Sequence, residues 1–354
     1  MAPRPRVPGR TATPTELDEE TSMPAHAPRV LTGDRPTGAL HLGHYFGSLQ
    51  NRVRLQAEGA ELFVVVADYQ VLTDRDVAHR LAERVEELVL DYLAVGIDGE
   101  RAVIFTHSAV PALNQLLLPF LSLVSAAELR RNPTVKDEIS HSRQSAVSGL
   151  MLTYPVHQAA DILFCKARLV PVGQDQLPHL EATRTIARRF NARYLSGGSP
   201  VFPEPEALLS AMPLLLGTDG TKMSKSRGNA IALGATEDET AALLKGARTD
   251  TERRITFDPQ HRPEVSSLLQ LAALCQGRDP HAVAEEIGDA GASRLKAVVT
   301  EAVNEYFRPI RRRRAELAGD RAHLRAVLAA GNARANAVAD VTLVQVAEAM
   351  GMRY

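Results

Sequence analysis

Glu61-Leu-Phe-Val-Val-Val-Ala67 is an unbroken apolar run built around three consecutive valines. A stretch this short and this rich in β-branched residues fits a strand covered on both faces, which requires helices above and below it. The flanking sequence supplies them. Arg29-Val-Leu-Thr-Gly33 reads as a strand, and Pro36 and Gly38 as a turn into a helix from about Leu40 to Ala57. Asp76–Val95 has helical periodicity closed by Gly96, and Arg101-Ala-Val-Ile-Phe-Thr106 reads as another buried strand. This β–α–β–α–β alternation predicts an α/β chain with a doubly wound parallel sheet.

The pattern extends in two parts. From about 111 to 151 the reading is helical, an insertion between the halves of a Rossmann-like sheet. Leu169-Val-Pro-Val-Gly173 reads as a strand, Asp175–Phe190 as its helix, and Met212-Pro-Leu-Leu-Leu-Gly217 as the last strand. Beyond Thr236 only helical patterns occur. The expected division is a tail over 1–28, a catalytic domain over 29–228 and a helical domain over 229–354. The tail is rich in Pro, Thr, Arg and Glu and buries too little apolar surface to fold, so it is expected to be disordered.

Composition narrows the function classes. With 41 Lys and Arg against 42 Asp and Glu, the formal net charge is -1, which excludes nucleic-acid binding by bulk charge and leaves local basic patches open. Cys165 and Cys275 are the only cysteines, too few for a disulfide framework or a cysteine-ligated metal. No apolar run can span a bilayer and no signal-peptide pattern opens the chain, so a cytoplasmic protein without a membrane partner is expected.

Two short motifs carry chemistry. In Pro36-Thr-Gly38-Ala-Leu-His41-Leu-Gly43-His44 the glycines admit close approach of a ligand to the backbone. The helix start offers free N–H donors to a phosphate, and His41 and His44 fall on one helix face. Far downstream, Lys222-Met223-Ser224-Lys225-Ser226 places two flexible cations in a small-residue loop, with Met223 as its apolar anchor. A single histidine there would read as a solvent-facing capped residue, but the whole first string favours a ligand site, whereas the lysine loop alone reads equally well as a solvated turn. Together they suggest a split triphosphate site.

In this order, around such a core, the motifs resemble the HIGH and KMSKS signatures of class I aminoacyl-tRNA synthetases. Gly149-Leu-Met-Leu-Thr-Tyr154-Pro155, then Gln158-Ala-Ala-Asp161-Ile-Leu163, then Val170-Pro-Val-Gly173-Gln-Asp175-Gln176 narrow the likeness. They resemble the tryptophanyl-tRNA synthetase family over about Val30 to Met350. The resemblance implies ATP with Mg²⁺ on its triphosphate, L-tryptophan and tRNA(Trp) as partners, a homodimer, and no metal held by the protein. The implied catalytic residues are His41, His44, Lys222 and Lys225. ATP is expected to meet these together with Arg35, Gly38, Gly43, Lys136, Gly173, Asp175, Met223, Ser224 and Ser226.

For the amino acid, the resemblance implies Tyr154, Gln158, Asp161, Gln176 and Gln70. A carboxylate on the apolar Asp161 helix needs a partner, because an unpaired buried charge is costly. The implied partner is the indole N–H; the alternative is a salt bridge, with His157 four residues earlier as the candidate. Gln70, Gln158 and Arg35 depart from the commonest bacterial pattern, which suggests a divergent branch. Arg308-Pro-Ile-Arg311-Arg-Arg-Arg314 reads equally as a solvated face or as contacts to RNA phosphates. Tyrosyl-tRNA synthetase, which shares both signatures, and a non-charging paralogue with a binding role remain alternatives.

Overall fold

A computed structural model describes residues 27–73, 80–136, 147–195, 197–209, 215–224 and 227–354. Its centre is a parallel sheet of β1 (Arg29–Asp34), β2 (Glu61–Val66), β3 (Val103–Thr106), β4 (Leu169–Val172) and β5 (Glu206–Leu209) in the order β3-β2-β1-β4-β5. The register runs from Arg29 opposite Glu61 to Asp34 opposite Val66, and β4 joins the other edge of β1 at Val30 and Leu169. The predicted doubly wound sheet is present. The valine run explains why: Leu62, Val64 and Val66 enter one hydrophobic core while Phe63 and Val65 enter the core on the opposite face.

The first crossover starts at α1 (Leu42–His44), passes through a π-helical segment (Tyr45–Leu49) and continues as α2 (Gln50–Ala57). After β2 comes α3 (Leu81–Ala94), whose predicted first residues lie partly outside the described residues. The insertion is helical as expected, with α4 (Pro111–Gln115), α5 (Leu117–Leu121), α6 (Ala126–Arg131) and α7 (Gly149–Leu163). β4 leads into α8 (Leu177–Tyr194), with Pro178 in its first turn, where a missing N–H costs nothing.

The last strand differs from expectation. It is Glu206–Leu209, paired with β4 from Leu169 opposite Glu206 to Val172 opposite Leu209. Of the predicted strand, residues 212–214 lie outside the described residues, and Leu216 makes only an isolated bridge with Lys222. Apolar content favoured 212–217, but an edge strand is half exposed and needs no such run.

Beyond Thr236 the described chain is helical: α9 (Glu237–Lys245), α10 (Pro263–Gln276), α11 (Pro280–Ile287), α12 (Gly291–Ala318) and α13 (Arg321–Ala349). α13 returns to cover β3. Asn332 Oδ1 accepts from the Thr106 amide at 3.0 Å, Asn336 Nδ2 donates to Ala109 O at 2.6 Å, and Thr342 Oγ1 donates to Phe164 O at 2.7 Å. Between α3 and α12, Arg314 Nε donates to Asp91 Oδ1 at 2.7 Å, while Asp91 Oδ2 accepts from the Leu40 amide at 3.2 Å. The C-terminal helices are thus tied to the backbone just before His41. No helix among the described residues is long and apolar enough to cross a membrane.

Candidate active site

Strand order reverses between β1 and β4, and the crevice beyond their carboxyl ends is where doubly wound sheets bind ligands. A cavity of about 500 Å³ opens there. Its walls bring together Asp34 and Arg35 after β1, His44, Ser48 and Arg52 on the first crossover, and Gln70 after β2. α7 contributes Tyr154, Gln158 and Asp161, and the segment after β4 contributes Gly173, Asp175, Gln176 and His179. Nine of the residues expected from the sequence therefore share one cavity: Arg35, His44, Gln70, Tyr154, Gln158, Asp161, Gly173, Asp175 and Gln176.

The α7 side is largely buried. Tyr154 Oη lies 2.9 Å from His179 Nε2, and Asn132 Nδ2 lies 3.4 Å from His179 Nδ1. Asp161 is 2% exposed, and the histidine beside it is His107 rather than His157, the candidate of the alternative salt-bridge reading: His107 Nε2 lies 2.8 Å from Asp161 Oδ1. His157 Nε2 instead lies 2.8 Å from Asn114 Oδ1. Helical spacing pointed to the residue four positions away, but His157 is drawn to the insertion, and β3 delivers His107 from 54 positions off in the chain.

On the opposite wall, Gln176 Nε2 donates to Asp175 Oδ2 at 3.1 Å. Thr134 Oγ1 donates to Asp175 O at 3.1 Å, which draws the 133–136 turn carrying the exposed Lys136 toward this edge. Gly38 stands apart from the cavity and lines a separate one beside Arg80 and Arg321, with φ of 135°.

The two signature motifs meet through their backbones. The Leu42 amide donates to Ile231 O at 3.0 Å and the Leu233 amide to Leu40 O at 2.9 Å, so the chain just after the lysine loop pairs with the chain around His41. His41 is the N-cap of α1, and its ring centroid lies 3.7 Å from that of His44. A Cβ on Gly43 would sit 3.1 Å from the His41 ring and 3.4 Å from Met223 Sδ, so glycine permits this close approach. Met223 is buried in the main core, as its anchoring role predicts. Lys222 is exposed and Ser224 half-buried, while Lys225 and Ser226 lie outside the described residues.

Sequence reading missed several residues. Asn229 is buried beneath the lysine loop: its Oδ1 accepts from the Ser224 amide at 2.7 Å, and its Nδ2 donates to Asp219 Oδ1 at 2.7 Å and Lys222 O at 3.2 Å. Arg52, 2% exposed, contacts Asp34 Oδ2 at 2.6 Å, and Tyr92 Oη donates to the same oxygen at 2.8 Å. Burial alone raises the Asp34 carboxyl, but Arg52, then His44 and Tyr92, hold it below its ordinary value. A signal for Arg52 was present, because His44, Ser48 and Arg52 recur every fourth residue on one helix face.

Residues 23–308 match the family of class I tRNA synthetases for W and Y. A tryptophan–tRNA ligase of Treponema pallidum is 44% identical over 331 residues, covering 92% of this chain and 97% of that protein. One from Clostridium longisporum is 40% identical over 337 residues, with coverage of 92% and 97%. This chain belongs to the tryptophan–tRNA ligase family. Among solved structures, the tryptophanyl-tRNA synthetase of Campylobacter jejuni, complexed with ADP and tryptophan, superposes with a TM-score of 0.78 at 29% identity, covering 91% of this chain and 99% of that one. The Mycoplasma pneumoniae tryptophanyl-tRNA synthetase gives 0.78 at 27%, with coverage of 92% and 98%. An Archaeoglobus fulgidus tyrosyl-tRNA synthetase is 24% identical and shares the fold.

Proposed function

We propose that this chain activates L-tryptophan with ATP and transfers it to the terminal ribose of tRNA(Trp), working in the switch-point cavity. The observation that carries the reading is that one cavity joins the Asp161 face of α7 to His44, Gly173 and Asp175. Indole has a single polar atom. One fixed acceptor in an apolar wall is therefore enough to select it, and Asp161 is that acceptor. Tyr154 and Gln176 hold the ammonium and carboxylate, Gln158 and Gln70 complete the pocket, and Asp175 accepts from the ribose hydroxyls with Gly173 beside it.

The substrate carboxylate attacks the α-phosphorus, giving tryptophanyl-adenylate and pyrophosphate. No protein nucleophile is required, and catalysis comes from positioning and charge. His41 and His44 stabilise the transferring phosphoryl group. Lys222 and Lys225 follow the leaving pyrophosphate on a loop anchored by Met223 and flanked by Ser224 and Ser226. Arg35, Lys136 and the backbone at Gly38 and Gly43 complete the ATP contacts. Mg²⁺ arrives on the triphosphate as part of the substrate. His107, His157 and Asp161 bring two nitrogens and one oxygen within 4.8 Å, a donor set unsuited to Mg²⁺, which takes oxygen ligands. In the second step the tRNA ribose hydroxyl attacks the adenylate.

For RNA, the helices over 229–354 read the anticodon through exposed Arg312 and Arg313, since Arg308 pairs with Glu237 and Arg314 with Glu87 and Asp91. The working form is a cytoplasmic homodimer. Pyrophosphate exchange tests the amino-acid assignment: exchange should depend on tryptophan and not tyrosine, and tyrosine-dependent exchange refutes it. The chain contains no tryptophan, so the fluorescence of bound ligand is read against tyrosine alone. Charging of tRNA(Trp) then separates a synthetase from a binding paralogue.

A further inference from the structure

Behind Asp161, outside the cavity lining, stands a side chain to which nothing above gives a role in the reaction. His107 follows β3 in a single 3₁₀ turn and is 0% exposed. Its Nε2 lies 2.8 Å from Asp161 Oδ1, and its Nδ1 lies 4.0 Å from Asp68 Oδ1. The Asp161 contact is an ion-pair approach without hydrogen-bond alignment, so Asp161 Oδ1 and both ring nitrogens of His107 make no aligned hydrogen bond among the described residues. Asp68 is fixed independently, because its carboxylate accepts from the Tyr69 and Ser108 amides and from the Ser108 hydroxyl. The other faces of the His107 ring meet His157, with centroids 4.5 Å apart, and Tyr69 at 6.3 Å.

We propose that His107 is a positioning residue for tryptophan selection: it pins one oxygen of Asp161 from behind, so that the carboxylate is aimed into the cavity to accept from the indole N–H. The inference rests on the reading of Asp161 as the indole acceptor. A buried carboxylate on an apolar helix face has several rotamers, and a ring nitrogen held 2.8 Å away at the end of β3 selects one of them. Burial lowers the basicity of His107, but Asp161 and then Asp68 raise it further, so its proton is held more tightly than that of an ordinary histidine. Burial moves His157 the other way. Of the two imidazoles, which meet edge to face, the one facing Asp161 is therefore the more basic. His107 touches no reacting atom, so its loss should affect the binding of the indole end and spare the chemical step.

The test measures KM for tryptophan, KM for ATP and kcat in pyrophosphate exchange. It also measures preference for tryptophan over 3-benzothienyl-alanine, in which sulfur replaces the indole N–H. His107→Leu and His107→Asn, the second polar but too short to reach, should each raise KM for tryptophan about tenfold and reduce the preference similarly. KM for ATP and kcat should stay within about threefold of the parent enzyme. His107→Gln can donate an amide N–H to the same oxygen and should restore both quantities. If either loss variant keeps the parent KM and preference while Asp161→Ala loses them, the inference falls and the Asp161 reading stands. If Asp161→Ala also leaves them unchanged, the reading beneath it fails. A parallel decline of kcat and both KM values in the loss variants, unrescued by glutamine, shows His107 to be only a fastening between β3 and α7 and overturns the inference.

Discussion

Gly331 lies in the middle of α13, where glycine is ordinarily a liability, and replacing it with alanine should improve helix propensity by about 1 kcal/mol. The packing predicts the opposite outcome. A Cβ at this position would lie 1.9 Å from Ile104 O and 2.7 Å from Ile104 C, both rigid backbone atoms of β3. To restore the 3.4 Å of an ordinary contact, the helix must retreat by about 1.5 Å. That retreat stretches the hydrogen bonds linking Asn332 to Thr106, Asn336 to Ala109 and Thr342 to Phe164. At about 1 kcal/mol each, with added loss of packing and the propensity gain subtracted, the net cost is about 2–4 kcal/mol. Melting followed by circular dichroism should show Gly331→Ala lowered by about 4–8 °C, given roughly 2 °C per kcal/mol for a long chain. Gly47→Ala is the internal control, since beyond its chain neighbours and its own helix backbone no atom lies within 4 Å of a Cβ built there, and it should be neutral or stabilising. A Gly331→Ala protein that melts with the parent would refute the packing argument.

Two further variants probe the motif scaffold. Arg314→Met strands the buried Asp91 carboxylate, leaving it the Leu40 amide, and should cost about 3 kcal/mol at neutral pH. Burial already holds the Asp91 carboxyl above its ordinary value against the pull of Arg314. A carboxyl raised on folding binds more protons in the native state, so stability falls as pH rises from its unfolded pKa, about 3.9, through the folded one. The Arg314→Met deficit should therefore shrink as pH is lowered toward about 4, and a deficit constant from pH 7 to 4 would contradict this account. Gly43→Ala forces a Cβ to 3.1 Å from the His41 ring and should lower tryptophan-dependent exchange by about tenfold or more, with unchanged circular dichroism. Parent-level exchange would show that His41 tolerates displacement.

Much of the cavity was legible because its residues sit in short, chemically unusual strings. Histidines at a glycine-rich helix start, and an aspartate in an apolar helix, stand out from their neighbours in a linear reading. Arg52, Asn229 and His107 did not stand out. Arg52 looks like one of several arginines on a polar helix, and Asn229 follows a glycine as any turn residue might. Arg52 and His107 became significant when Asp34 and Asp161 arrived beside them, and Asn229 only when the adjoining lysine loop folded back over its side chain.

The amino-acid sequence sufficed for the sheet class, the helical second half and the family. Apolar periodicity, turn residues and side-chain type are local properties, written within a few residues of where they act. The position of β5, the His107 partner of Asp161, the ion pairs that occupy Arg308 and Arg314, and the need for glycine at 331 depended on three-dimensional folding. In each case the governing term is a contact between segments tens to hundreds of residues apart, and its energy exists only once the chain has closed around it.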